Sequence, residues 1–261
     1  MHKRELAYIL IVYCDPEAIE CGGPKNLVNM KTTLFPATLL VFVMLSCRYD
    51  EGIRQVPDEI IKSVPCPTLY ARILELFPEH TKNSKSVLFS DTVQKRVVLT
   101  KESEVFVTYI SEGAGFRNTF GWYSYNKATP PTSTSQLELH VLFPDVSDTV
   151  LDPGNRLKLG ENKFAAGTVI GFFLIVGGWN DGTIDYNKPK IYTDQNFNPD
   201  QKQQHILFEE KTCGDIVLAF EDLAFDASTS DQDFNDILFT VSDNNSDKVN
   251  TAFEHKSIAS W

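Results

Sequence analysis

The acidic segment 221–236, set between two hydrophobic runs, restricts the fold more than any other part of the sequence. It contains six carboxylates and neither Lys nor Arg, and the flanking runs, 215–220 and 237–241, have the composition of β-strands. Two strands joined by this loop gather negative charge at one end of a hairpin, where each pair of like charges a few ångströms apart repels by about 1 to 4 kcal/mol. The sequence therefore predicts a hairpin that folds most easily around a bound cation.

The side chains of this loop offer only oxygen ligands, which suit a hard ion such as Ca²⁺. Asp231, Asp233 and Asn235 have the one-three-five spacing of calcium loops, although the Gly and the distal Glu of an EF-hand are missing. Because side chains alternate along a strand, we expect about three or four loop residues to coordinate the ion, with backbone carbonyls and water. The alternative is a solvated acidic turn. The candidate metal ligands are Glu221, Asp222, Asp231, Asp233, Asn235, Asp236 and, from a neighbouring strand, Glu112.

Other polar residues allow more than one interpretation. Glu112 could form a surface salt bridge with Arg117 instead of binding the ion, and Arg117 could neutralise the acidic segment in place of a metal. Asn118 could complete the metal shell from the same neighbouring strand. His205 is interpreted as a hydrogen-bonded structural residue rather than a ligand.

The rest of the chain predicts an all-β fold with one short N-terminal helix. Apolar residues between 68 and 77 have helical spacing, and Pro78 closes that helix. From residue 86 onward about nine to eleven short strand-like runs alternate with turn signals, which is typical of an antiparallel β-sandwich. We expect a jelly-roll-like sandwich over residues 84–245, followed by a polar tail, 246–261.

Residues 30–47 have the pattern of a secretory signal peptide, with Lys31 before an apolar run that is too short to span a bilayer. The small Ser46 directly before Cys47 resembles the lipobox of bacterial lipoproteins, and this resemblance implies lipidation at Cys47. A polar tether and the short helix would then occupy residues 48–83.

Residues 1–29 do not fit in front of such a signal peptide. They are either a mis-annotated leader, with translation starting at Met30, or an extended leader. Without the leader and the lipidated cysteine, Cys66 and Cys213 remain. They could pair in an oxidising compartment or remain as two buried thiols.

Composition and motifs limit the function classes. The net charge of −11 would repel a phosphate backbone, so nucleic-acid binding is not expected. The sequence contains neither a Gly-x-Ser-x-Gly elbow nor an HExxH motif, so we expect a non-catalytic protein. The alternative enzyme is a glycoside hydrolase that uses Glu221 with Asp222 or Asp236.

Aromatic residues indicate a second kind of site. Trp122 and Trp179 could form a platform for sugars, with Asn180 and Asp181 as polar neighbours of the second ring. Packing in the core is the alternative use of these rings. This set gives the candidate ligand-binding residues for a carbohydrate-binding module.

Three signatures in the sequence resemble one family. They are residues 112–118 (Glu-Gly-Ala-Gly-Phe-Arg-Asn) followed by Gly-Trp-Tyr at 121–123, Asn-Pro at 198–199 with His205, and Phe-Glu-Asp-Leu at 220–223 with Ser-Asp-Gln-Asp-Phe-Asn-Asp at 230–236. Together they resemble the bacterial domain of unknown function catalogued as number four-one-one-four. The family occurs in secreted and surface-anchored bacterial proteins, so the resemblance implies a surface location and leaves the activity unassigned.

These observations lead to one overall prediction. We expect a calcium-stabilised β-sandwich that acts in binding or adhesion at the bacterial cell surface, as an outer-membrane lipoprotein or a secreted protein. Its expected partners are an extracellular glycan or protein, and the membrane through the N-terminal lipid.

Overall fold

The computed structural model describes residues 60–83, 86–223, 230–246 and 249–261, all within one compact unit that spans residues 49–261. The leader at 1–29, the signal peptide at 30–47 and the lipidated Cys47 lie outside the described residues and remain predictions. In the part that the structure describes, no helix is long and apolar enough to cross a membrane.

Short strands dominate the described residues. They are β1 (Ile61–Lys62), β2 (Val97–Val98), β3 (Phe106–Glu112), β4 (Asn118–Asn126), β5 (His140–Val146), β6 (Asn155–Lys158), β7 (Thr168–Ile175), β8 (Trp179–Asn180), β9 (Thr183–Ile184), β10 (Lys190–Tyr192), β11 (His205–Glu210), β12 (Asp215–Phe220), β13 (Ile237–Ser242) and β14 (Ala259–Ser260). The helices are α1 (Leu69–Leu76), the single turn α2 (Ser86–Phe89) and three 3₁₀ turns at Thr134–Gln136, Gln195–Phe197 and Pro199–Gln201.

Two sheets form a sandwich. The larger has the strand order β1-β6-β3-β13-β12-β11-β14, and the smaller has the order β10-β7-β4-β5 with β2 also paired to β7. Neighbouring strands are antiparallel except β11 and β14, which run parallel. The chain passes between the sheets after β1, β2, β3, β5, β6 and β10, while β11, β12 and β13 form a meander within one sheet. The predicted all-β sandwich is confirmed.

Aromatic rings fill the space between the sheets. The ring of Phe120 on β4 lies 4.1 Å, centre to centre, from that of Phe239 on β13, which also stacks on Phe143 of β5 at 5.8 Å. Successive residues of β12 alternate, so that Leu218 faces this core while Val217 faces the opposite side of the sheet. Both faces of β12 are therefore covered, which explains why its sequence is apolar without a break.

Helix α1 covers the outer face of the larger sheet. Ile73 is fully buried there, and the ring of Phe77, directly after the helix, lies 5.4 Å from that of Phe208 on β11. A disulfide between Cys66 and Cys213 joins the segment before α1 to the turn between β11 and β12. The predicted helix is confirmed, and the two cysteines pair.

The sandwich extends beyond the predicted limits of 84–245. Before them, β1 pairs with β6 at the edge of the larger sheet. After them, the tail supplies β14, where Ala259 pairs with Phe208, and it buries Phe253 in the core. The two residues of β14 cover the edge of β11, which would otherwise be exposed. Two residues are too few to show the periodicity of a strand in the sequence.

Candidate metal centre

The acidic residues gather at one end of the larger sheet because of strand register. Phe220, the last residue of β12, pairs with Ile237, the first of β13, and Ile237 pairs in turn with Glu112 at the end of β3. The backbone N–H of Asp222 donates to Oδ2 of Asp236 at 2.7 Å and closes the base of the loop. The predicted hairpin is confirmed.

The loop between these strands is irregular. Gln232 and Phe234 both adopt left-handed backbone conformations, with φ of 58° and 61°, which are uncommon for residues other than Gly. The ring of Phe234 is completely buried and lies 5.2 Å from that of Phe89, the last residue of α2. The anchored Phe234 interrupts the alternation of a strand, so that Asp233 and Asn235 on either side of it are both buried.

Hydrogen bonds fix the buried carboxylates. Glu221, which is 1% exposed, accepts from Oγ of Ser230 at 2.9 Å. Asp222 accepts from Nδ2 of Asn118 at 2.8 Å. Asp233 accepts from its neighbour, since the backbone N–H of Asn235 lies 3.2 Å from its Oδ1. Each of these carboxylates is therefore held in one orientation.

Residues after α1 complete the cluster. Glu79, His80, Asp231 and Asp233 each have one potential ligand atom, and these four atoms all lie within 4.8 Å of one another. Nδ1 of His80 lies 2.9 Å from Oδ2 of Asp231, and its backbone N–H donates to Asp233 at 2.8 Å. The imidazole is largely exposed, whereas Asp233 is buried. We call these four residues the carboxylate–histidine cluster.

The structure brings together two of the seven predicted metal ligands in this cluster, Asp231 and Asp233. Asn235 turns its side-chain amide to the end of α1, where Nδ2 donates to the carbonyl of Phe77 at 3.1 Å. The remaining four are not members of the cluster: Glu221, Asp222, Asp236 and Glu112. Glu221, Asp222 and Asp236 lie close enough to feel the charge of Asp231 or Asp233, whereas Glu112 lies at the end of β3 beside Asp148.

Burial raises the pKa values of the acidic groups. Removal from water raises the pKa of Glu221 to about 7 and that of Asp233 to about 6, and neighbouring carboxylates add to both effects. The pKa values of Asp222 and Asp236 are also raised, first by burial and then by repulsion from other acidic groups. The site thus favours neutral carboxyls unless positive charge is added.

Arg117 does not have either of the two roles considered from the sequence. Its guanidinium donates to the carboxylate of Asp145 and, at 2.8 Å, to that of Asp181. Asp145 is completely buried and draws the cation away from the acidic loop. Glu112 instead accepts a long hydrogen bond of 3.4 Å from the backbone N–H of Asp148. The structure therefore shows neither of the two alternatives considered for Arg117.

Two polar residues have supporting roles. Asn118 is completely buried, and besides donating to Asp222 it accepts from the backbone N–H of Gly177 at 2.9 Å. His205 is the first residue of β11, and its Nε2 contacts the carbonyl of Lys95 at 2.8 Å. Burial lowers the pKa of this imidazole to about 3. His205 is therefore a neutral structural residue, as predicted.

Neither of the two predicted tryptophans, Trp122 and Trp179, forms an exposed aromatic platform. Trp179 is 4% exposed and Trp122 is 7% exposed, and Trp122 stacks on His140 with ring centres 4.3 Å apart. Asn180 and Asp181 are exposed, and Asp181 is engaged by Arg117. The prediction that these tryptophans present a face to sugars is wrong, because both rings are packed in the protein.

Sequence patterns offered little indication that Glu79 and His80 belong to the site. They follow the predicted helix directly and lie more than 140 residues before the acidic segment 221–236. Only the packing of α1 on the sheet brings the two segments together. A His next to a Glu just beyond a helix end was the single available signal.

Comparison with known proteins finds one family. Residues 164–244 match the family described as Domain of unknown function (DUF4114), which confirms the resemblance for that segment. The match extends from just before β7 through β13 and includes the whole acidic loop. No curated protein and no solved structure matches significantly.

Proposed function

From the match of residues 164–244 to this family of unknown function, we propose that the protein is a non-catalytic binding module. It would act outside the cytoplasm and be stabilised by Ca²⁺. The observation that carries the proposal is the carboxylate–histidine cluster, in which Glu79, Asp231 and Asp233 converge within 4.8 Å. Three carboxylates at this separation are hard oxygen ligands of the kind that Ca²⁺ binds.

The surroundings of the cluster support a divalent cation. Glu221 and Asp236 lie nearby with raised pKa values, so a positive charge there would stabilise their ionised forms as well. The imidazole of His80 is exposed and can turn away from Asp231 when an ion binds. Backbone carbonyls and water would complete the shell of about 6 to 8 oxygens.

The ion would have a structural role. It would join the segment after α1 to the loop between β12 and β13, two parts already linked by the hydrogen bond from His80 to Asp233. A ligand that binds only the folded state stabilises it by about 2.7 kcal/mol at a concentration 100 times its dissociation constant. Calcium would thus fix one end of the sandwich for a role in binding or adhesion.

The disulfide supports a location outside the cytoplasm. The bond between Cys66 and Cys213 persists in oxidising compartments and is rare in the cytosol. We propose that Cys47 carries a lipid and holds the protein at the bacterial outer membrane, with secretion as the alternative. The proposed partners are an extracellular glycan or protein.

Burial supports a structural rather than a catalytic role for the paired acids. Glu221 and Asp222 are 1% and 4% exposed, so a polysaccharide could not approach them without opening the loop. Their hydrogen bonds to Ser230 and Asn118 also hold them inward. A hydrolase of the kind that uses two accessible carboxyls is therefore not favoured.

Calorimetric titration of the chelator-treated full chain with Ca²⁺ tests the proposal. We expect saturable binding that Asp231→Asn and Asp233→Asn weaken strongly. Asp91→Asn is the matched control, because Asp91 is exposed in a different part of the fold and should bind like wild type. Absence of saturable binding by the wild-type chain, or equal weakening by all three variants, would refute calcium at this cluster.

A further inference from the structure

A recess lies beside the end of β3, and none of its lining residues belongs to the carboxylate–histidine cluster. It has a volume of about 390 Å³ and is bounded by β3, the segment around Cys66 and the loop at 148–153. Small-molecule sites usually have about 300 to 1,000 Å³, so the recess can hold a compact organic group. Its walls include Tyr70 and Leu151.

Tyr109 provides an unsatisfied polar group on the wall of this recess. The residue is 1% exposed, and its ring packs edge-on against Phe239 with centres 6.2 Å apart. Its hydroxyl is buried and has no hydrogen-bond partner among the described residues. Burial, and then the charges of Glu112, Asp148 and Tyr70, raise the pKa of this hydroxyl, and these three residues all line the recess. Buried phenol groups normally have a partner, so this one indicates a missing ligand group.

The acidic residues of the recess indicate that the missing ligand group is positively charged. Glu112 and Asp148 stand together, with the backbone N–H of Asp148 3.4 Å from Oε2 of Glu112. A third acid, Asp152, is already paired with Lys62 at 2.9 Å. The residues that line the described recess include no Lys or Arg. Two carboxylates thus face the space without a basic residue on its walls.

We propose that this recess binds a primary ammonium group carried on an aliphatic stem. The ammonium would lie between the carboxylates of Glu112 and Asp148 and donate to the hydroxyl oxygen of Tyr109. The stem would run along Leu151 and the ring of Tyr70, which is half exposed and offers a face for a cation–π contact. A neutral sugar would leave the two acids without a counter-charge.

This inference goes beyond the proposed calcium site, because it assigns a ligand chemistry to a different set of residues. Glu112, a candidate metal ligand from the sequence, belongs here by geometry. The recess does not include Asp231 or Asp233. Binding can therefore be measured with calcium removed, and failure of one proposal is distinguishable from failure of the other.

A matched pair of probes tests the inference on the full chain in chelator. N-acetyl-lysine methylamide has the ammonium group, and N-acetyl-norleucine methylamide has a similar stem without it. We expect saturable binding of the lysine probe by calorimetry and about tenfold weaker binding of the norleucine probe, since the difference is one desolvated charge pair. Glu112→Gln and Tyr109→Phe should each weaken the lysine probe several-fold, while the exposed Glu161→Gln should not.

Other outcomes overturn the inference. Equal binding of both probes would show a merely apolar recess, and binding of glucose in preference to the lysine probe would show a polyol site. No binding of the lysine probe would reject the site altogether. If Glu112→Gln fails to fold by circular dichroism, Asp148→Asn on the exposed loop serves instead, and unchanged affinity in that variant counts against the proposal.

Discussion

The backbone N–H of His80 donates to Oδ2 of Asp233 at 2.8 Å, across a sequence separation of 153 residues. This contact joins the segment that leaves α1 to the acidic loop of the β12–β13 hairpin. Nδ1 of the same histidine contacts Asp231. His80 therefore contacts both aspartates that have the spacing of a calcium loop, Asp231 and Asp233. The stability of the loop and the position of α1 are therefore coupled.

Removal of calcium should lower the melting temperature. At an excess of about 100-fold over the dissociation constant, the lost stabilisation is about 2.7 kcal/mol, or about 5 to 10 °C for a domain of this size. Asp233→Ala should melt at the lower temperature with or without chelator, because it removes a ligand and two hydrogen-bond acceptors. Differential scanning calorimetry measures both. A wild-type melt that chelator leaves unchanged would contradict the structural role of the ion.

The chelated protein should become less stable as pH rises. Glu221 and Asp233 have folded-state pKa values of about 7 and about 6, above those of ordinary carboxyls, so the folded state binds more protons than the unfolded state between about pH 4 and pH 7. The free energy of unfolding is therefore highest at the acidic end of that range and decreases as the pH rises through it. Melting temperatures at pH 5 and pH 8, with chelator and with Ca²⁺, measure the slope.

Calcium should flatten this pH dependence, because the bound ion takes over the neutralisation that protons supply. Asp91→Asn, at an exposed position, should keep the slope of the wild type. If calcium and chelator gave the same slope, the titrating carboxyls would not be those around the ion.

His80 should compete with the ion at acidic pH. Its pKa is raised, chiefly by the hydrogen bond to Asp231 and then by the charge of Glu79, so a protonated imidazole can occupy the position of a cation beside these acids. Calcium affinity of the wild type should fall between pH 7.5 and pH 5.5 more steeply than that of His80→Gln. Titration calorimetry at both pH values gives the comparison, and parallel changes in the two proteins would exclude His80 as the competitor.

Much of the fold follows from local patterns, whereas the candidate site does not. The hydrophobic runs on either side of the acidic segment and the helical spacing around Ile73 were sufficient to predict a hairpin and a helix. Glu79 and His80 could not be identified, because only the docking of α1 brings them to the acidic loop. The burial of Trp179 likewise depends on contacts between distant segments, and composition alone suggested an exposed ring.

The disulfide should contribute strongly to stability. Cys66 and Cys213 are 147 residues apart, and removal of a native disulfide that closes such a loop typically costs about 2 to 5 kcal/mol. The double variant Cys66→Ser/Cys213→Ser should lose this amount in urea unfolding compared with the oxidised wild type. Reduction of the wild type should give the same result, and the reduced double variant is the control. A wild-type stability that does not change on reduction would show that the bond does not stabilise the folded state relative to the unfolded chain.

Phe234 should link the apolar cluster on the outer face of the larger sheet to calcium affinity. Its ring is completely buried beside Phe89, while its left-handed backbone separates Asp233 from Asn235. Phe234→Ala should cost about 3 to 5 kcal/mol, as for other buried aromatic rings, and should also weaken calcium binding because the loop loses its anchor. Phe239→Ala removes an equally buried ring from between the sheets and is the matched control. It should lower stability by a similar amount but leave calcium affinity, measured by titration well below the melting temperature, close to that of the wild type. Equal losses of affinity in the two variants would mean that global stability, rather than the anchoring of Phe234 beside α2, controls the metal centre.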